Sequence, residues 1–225
     1  MKPGVEKETV SDPKHSSDEI VADIRNAIVG GTLALGSPVT EPWIAEKYGI
    51  SRTLVREVIM RLISEGYLER KPYHSASVRK FSSKDVQDIL EARELLEVFA
   101  AQRAVGARRE QRVALQRALD EYLAAMDSGN VARSAVAHRD LHVAMVGMSG
   151  NVRLMKQEER LMVDSSLVVA VIDARRDDVE KMKSVHADLA RAFLDADAEL
   201  SARLVREHLY MVDQAAHEEF SHQGD

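Results

Sequence analysis

A mainly α-helical protein in two parts is predicted by three observations. Apolar residues recur at helical spacing over most of the chain, strand-like stretches are confined to a short region near residues 67–80, and aromatic residues are only 4% of the total. The larger core must therefore be built from Leu, Val, Ala and Met, as helical bundles commonly are. A chain of 225 residues that is 45% hydrophobic and 30% charged suits one large or two small folded domains and excludes a fibrous or wholly disordered protein. The absence of cysteine excludes disulfide scaffolds, thiolate metal sites and cysteine nucleophiles. No apolar run approaches the roughly 20 residues needed to span a bilayer, and the start lacks a basic-then-apolar signal pattern. A cytoplasmic protein with no membrane partner is expected.

The elements follow in order. Residues 1–15, with Pro3, Gly4, Ser11 and Pro13, show no periodicity and read as a flexible tail. Ser16 and Glu19 have capping-box spacing, and Ile20, Ile24 and Ile28 mark one face of a helix that stops at Gly30–Gly31. A second helix is predicted from near Thr40, with Pro42 tolerated in its first turn, to Gly49. A third opens at Ser51, carries Leu54, Val55, Val58, Ile59, Leu62 and Ile63 on its apolar face, and ends at Gly66. Tyr67 to Arg70 and Ser77 to Lys80, separated by Pro72, Tyr73, His74 and Ser75, predict a small hairpin. From Ser82 the pattern changes to about six longer helices, broken at Gly106, at Ser128–Gly129, at Ser149–Gly150–Asn151 and near Asp177–Asp178. Three units are expected: the tail, residues 16–80, and residues 81–225.

Charge singles out the middle of the chain. The net charge is −6, yet residues 47–80 carry eight Lys/Arg against three Asp/Glu, while the segments on either side are acidic. Local potential governs where phosphate docks. Two short helices joined through Gly49 and Ile50, with Ile44, Ala45, Val55 and Val58 between them, fit a helix-turn-helix, and the basic hairpin beside it fits a wing. Ser51 is placed to cap the second helix while leaving first-turn N–H groups for a phosphate. Arg52 and Arg56 share a face at i and i+4, with Thr53 between them, a pattern suited to a guanine edge and to phosphates of double-stranded DNA. His74, at the tip of a hairpin flanked by Arg70, Lys71, Arg79 and Lys80, is expected near a minor groove.

The stretch from Ile20 to Val78 resembles the winged helix-turn-helix domain of GntR-family transcription regulators, most closely at Ile44–Ala45–Glu46, Gly49–Ile50–Ser51–Arg52–Thr53, Val55–Arg56–Glu57 and Leu62 to Leu68. The resemblance implies that Arg52 and Arg56 contact operator DNA and that a homodimer reads a pseudo-palindromic site. Leu54 departs from the usual Pro or Thr, Ser75 from Gly, and His74 from Arg.

In the helical half, His138 and His142 lie one turn apart on one helix face, the spacing that lets two imidazoles converge on one ion. His186 and His208 fall on later helices that an antiparallel bundle brings opposite them. Four nitrogen donors suit zinc, nickel or copper rather than calcium or magnesium. The same four residues could equally be a structural cluster without metal.

Residues 83–221 resemble the FCD effector-binding domain of the FadR subgroup, through Glu91–Ala92–Arg93 with Leu96–Glu97, through Leu141–His142 followed by Ser149–Gly150–Asn151, and through His186, Asp197 and His208. The resemblance implies an antiparallel bundle that binds a divalent metal, Zn or Ni, through an Asp and three His, completed by a small organic acid. His142, His186 and His208 map to the last three ligands, and His138 stands in the Asp position. Two readings of Arg93 stay open: a fork for the effector's carboxylate, or a salt bridge with Glu97. Other charged stretches, Arg108–Arg109, Arg175 to Asp178 and the run from Met155 to Met162, read as solvated ends or faces. The function implied is a ligand-responsive regulator, most often a repressor. A metal-dependent hydrolase is the weaker alternative, because Arg139 sits where a metalloprotease motif has its general-base Glu.

Overall fold

The computed structural model describes residues 16–173 and 178–220; the expected N-terminal tail and Arg175 to Asp177 lie outside them. Helix α1 (Ser17–Val29) opens with a two-way capping box between Ser16 and Glu19 and buries Ile20, Ile24 and Ile28. Strand β1 (Pro38–Val39) precedes α2 (Glu41–Tyr48), which Thr40 caps and which ends at Gly49, at φ +64°. Glycine adopts this left-handed conformation without the Cβ penalty, and the chain turns directly into α3 (Arg52–Ser64).

Strands β2 (Leu68–Arg70) and β3 (Ala76–Val78) form the expected hairpin, with β3 starting and ending earlier than the sequence reading placed it. The sheet has a third member that the sequence reading omitted. Pro38 and Val39 pair antiparallel with Ser77 and Ala76, giving the order β1-β3-β2. Two residues are too few to show alternation, so only the pairing identifies this strand.

Six α-helices follow among the described residues: α4 (Ser83–Arg103), α5 (Arg109–Asp127), α6 (Val131–Gly147), α7 (Val152–Asp173), α8 (Val179–Leu194) and α9 (Ala198–Phe220). The break at Gly106 is a short 3-10 turn, Ala104–Gly106. Helix α4 packs along α9, α5 along α6 and α8, and α6 along α7. Tyr122, Leu141, Met145, Leu189, Phe193 and Val205 fill the centre, each 2% exposed or less. The only aromatic rings in that group are Tyr122 and Phe193, as the composition demands.

The two halves touch. Helix α1 packs against α6 and α7, and Arg79, just past β3, forms an ion pair with Asp164 of α7 while its Nη1 donates to the Gly66 carbonyl at 3.3 Å. The α6–α7 junction shows why Gly150 is glycine: it sits at φ +72°, and a Cβ there would lie 3.1 Å from Gln111 Nε2, the group that donates to the Gly147 carbonyl at 2.8 Å. Asn151 then caps α7, its Oδ1 accepting from the Arg153 and Leu154 N–H groups.

Candidate functional site

Two surfaces carry the residues singled out by the sequence. On the first, Ser51 Oγ accepts from the Leu54 N–H at 3.4 Å and so caps α3. Arg52, Thr53 and Arg56 stand exposed along the helix that follows, whose opposite face buries Val55, Val58, Ile59 and Leu62. Burial of the apolar face therefore dictates that the guanidiniums face outward. Arg56 Nε lies 3.4 Å from both carboxylate oxygens of Glu41; an exposed pair of this kind is worth only about 0–1 kcal/mol, so a phosphate can displace it. At the wing tip His74 is exposed and its Nδ1 donates to the Pro72 carbonyl at 2.8 Å. The residue of the wing in the left-handed region is Tyr73, at φ +65°.

The second surface is internal. Helix α6 presents His138 and His142 one turn apart, α8 presents His186, and α9 presents His208; one ligand nitrogen from each lies within 4.8 Å of the others. His142 and His186 are 0% exposed, His208 is 2% exposed, and His138 closes the group from a partly buried position. His186 Nδ1 donates to the Met182 carbonyl at 2.8 Å, and Tyr122 Oη lies 3.1 Å from the same nitrogen. A carbonyl only accepts, so the proton of neutral His186 sits on Nδ1 and its Nε2 lone pair faces the cluster, 2.9 Å from His138 Nε2.

Electrostatics keep these rings neutral. Burial pushes His138, His142 and His208 well below the ordinary histidine range, assisted by each other's charges and by Arg93, and it brings His186 down to about 4. Neutral imidazole is the form that ligates a metal. The cluster also leaves buried nitrogens without any hydrogen-bond partner: Nε2 of His142 and both nitrogens of His208. Buried polar atoms are nearly always paired, and a cation held by one lone pair on each ring would satisfy His142 Nε2 and one of the two His208 nitrogens. The donor set fits a borderline divalent ion.

Behind His142 lies a polar group that the sequence only partly revealed. Arg93 is wholly buried; its Nε and Nη2 donate to Glu97 Oε1 at 3.0 and 2.7 Å, its Nη1 to Ser165 Oγ at 3.3 Å, and its Nε is 3.4 Å from Glu158 Oε1. Of the two readings of Arg93 the structure contains the salt bridge: its guanidinium is engaged by the Glu97 carboxylate of α4 and faces the Glu158 carboxyl and Ser165 hydroxyl of α7. Glu158 is a correction as well. The run from Met155 to Met162 reads as an exposed face, yet Glu158 is 0% exposed, on the stripe that also buries Met162 and Ser165. The spacing of four and then three residues was the available signal. Burial, reinforced by the Glu97 charge and opposed by Arg93, pushes the Glu158 carboxyl up to about 8. Tyr122, which no reading assigned to the site, follows Leu115 and Leu119 on the buried face of α5. Asp140, two residues from His138, is exposed and pairs with Arg139.

A winged helix-turn-helix joined to a six-helix bundle with a buried imidazole cluster defines a DNA-binding regulator with a C-terminal helical domain. The chain belongs to the gntR family of bacterial regulatory proteins, in its FCD-bearing, FadR-like branch: the gntR-family profile matches residues 16–78 and the FCD domain profile residues 88–210. It is thus a transcriptional regulator rather than an enzyme, and regulators of this family bind operator DNA. It is 25% identical over 196 residues to the "Probable D-xylose utilization operon transcriptional repressor" of Paenarthrobacter nicotinovorans, covering 84% of this chain and 85% of that one. It is 29% identical over 123 residues to the Nta operon transcriptional regulator of Aminobacter aminovorans, covering 54% of this chain and 58% of the relative. Among solved structures, a GntR regulator from Rhodococcus sp. RHA1 superposes with a TM-score of 0.72 at 18% identity, covering 89% of this chain and 96% of that one. E. coli McbR superposes with a TM-score of 0.70 at 20% identity, covering 91% and 98%. At these identities the superpositions establish the fold alone. No helix among the described residues is long and apolar enough to cross a membrane.

Proposed function

We propose that this chain is a cytoplasmic, homodimeric repressor whose affinity for a pseudo-palindromic operator is set by a small organic acid bound at a divalent-metal site. Residues 16–80 form the DNA-binding unit in this reading, with Ser51, Arg52, Thr53 and Arg56 in the major groove and His74 beside a minor groove. Residues 81–225 form the sensing and dimerising unit, and His138, His142, His186 and His208 hold zinc or nickel. The observation that carries the reading is the convergence of four neutral imidazoles with orphaned, buried nitrogens at their meeting point.

A bound ion would supply Lewis acidity toward a carboxylate oxygen. The residues present determine the rest. Four imidazoles contribute no negative charge, so His138 in the Asp position leaves the full double charge of an ion to attract an anion. With Arg93 committed to Glu97 and Glu158, the ion and not this guanidinium is the effector's anchor. Helix α7 links the sensing site to the DNA-binding half, since Ser165 and Glu158 touch Arg93 while neighbouring Asp164 pairs with Arg79. An effector that favours one arrangement of these contacts shifts operator affinity tenfold for each ~1.4 kcal/mol of coupling.

Gel shifts on operator DNA test this, with zinc or nickel and a series of small carboxylates, each with and without chelator. Release of DNA by one acid only when metal is present is expected; undiminished operator binding under every acid removes the switching claim. The His138–His186 contact at 2.9 Å supports a second reading, a metal-free hydrogen-bonded cluster. Protein purified without a His tag that takes up no zinc or nickel, and shows no thermal shift with either, decides for it.

A further inference from the structure

Two neighbours of His142 Nδ1 make opposite demands on it. Arg93 Nη2, 3.0 Å away, only donates and so calls for a bare nitrogen. Glu97 Oε2, 3.2 Å away, accepts and so calls for a protonated one. A neutral imidazole has one ring proton, so the choice at Nδ1 decides what Nε2 shows to the centre of the cluster. If Arg93 prevails, Nε2 carries the proton and points a buried N–H at no acceptor. If Glu97 prevails, Nε2 turns a lone pair to the same place.

Resting on the metal reading above, we propose that Glu97 is a positioning residue that holds His142 as the Nδ1–H tautomer, and that Arg93 and Glu158 serve to hold Glu97 rather than to meet a ligand. The two oxygens of Glu97 divide the work. Oε1 receives both Arg93 donors, at 3.0 and 2.7 Å, which leaves Oε2 facing the ring. The sequence spacing produces this, because Arg93 and Glu97 lie one turn apart on α4 and the guanidinium reaches along the helix to fix the carboxylate. Arg93, Glu97, His142 and Glu158 are each 0% exposed, so no solvent competes for the carboxylate. A carboxylate behind a ligating imidazole raises that ring's basicity and fixes its orientation.

The test uses the full chain, with zinc affinity measured by competition against a chromophoric chelator and ring protonation read by long-range 15N–1H correlation NMR. Glu97→Ala is expected to weaken zinc binding by about 10–100-fold, the usual loss for removing such a partner. Glu97→Gln, which keeps a weaker acceptor, should fall between that variant and the parent. The zinc-loaded parent should show the His142 proton on Nδ1. Glu158 still faces Arg93 in both variants, so the buried cation keeps a carboxylate, and a thermal melt checks that each folds. Should they not fold, the parent's spectrum decides alone: a zinc-loaded His142 with its proton on Nε2 overturns the assignment. Folded variants that bind zinc as tightly as a zinc-binding parent overturn it while leaving the metal reading standing. A parent that takes up no zinc removes the metal reading itself.

Discussion

Lowering the pH of the chelator-treated protein from 7 to 5 probes the burial of the imidazole cluster directly. His186 is held down at about 4, against an ordinary histidine value of 6.5, chiefly by burial. Between those values the unfolded chain binds a proton that the native ring refuses, so stability falls as the pH falls through this window and is regained above 6.5. For this one group the loss reaches about 2 kcal/mol at pH 5 and levels off at about 3 kcal/mol once the pH lies below both values. His138, His142 and His208 are displaced in the same direction, so the whole cluster should lose more than His186 alone. Glu158, its carboxyl pushed up to about 8, gains stability over the same window and opposes the histidines, so urea denaturation at pH 7, 6 and 5 is compared between parent and His186→Gln at constant slope. His186→Gln should remove from the pH dependence about the amount worked out for that residue. A His186→Gln variant with the parent's pH dependence would refute the argument that this ring is buried in neutral form.

Replacing Arg52 and Arg56 together by Ala should abolish specific operator binding and, if both meet phosphates, lower the salt slope of the remaining affinity by about 2, while exposed positions leave the melting curve in place; fluorescence anisotropy over a salt series checks it. Gly150→Ala should destabilise the fold by about 1–2 kcal/mol, because φ +72° disfavours any Cβ and this one would crowd Gln111; chemical denaturation reads it, and no change would overturn the account of the α6–α7 corner. Asp164→Ala should cost about 1 kcal/mol by leaving Arg79 without its part-buried partner. Faster proteolysis between residues 79 and 83 should accompany it; equal cleavage rates would show that the ion pair does not brace the junction.

Much of the first half was readable residue by residue. The Ser16–Glu19 box, the Ser51 cap and the Gly49 stop each act within a single turn of chain, and the structure contains all three. The strand at Pro38–Val39 escaped because its identity depends on Ser77 and Ala76, nearly forty positions later. In the bundle, the His138–His142 spacing was visible as a pair on one face, but nothing local linked it to His186, 48 residues on. Glu158 was misread for the complementary reason: a glutamate among Lys156, Glu159 and Arg160 has the composition of a solvated face, and only Arg93 arriving from α4 makes its burial tolerable.

The amino-acid order by itself determined where helices begin and end, which of their faces are apolar, where positive charge gathers, and which family motifs are present. Such properties are set by neighbours within a turn or two. Tertiary packing alone decided which of the eight histidines meet, that Arg93 is given to Glu97 and Glu158, and that Tyr122 stands against His186. Those contacts join residues on different helices, and their existence depends on how apolar faces interlock across the core, a sum over many side chains that no single stretch of sequence contains.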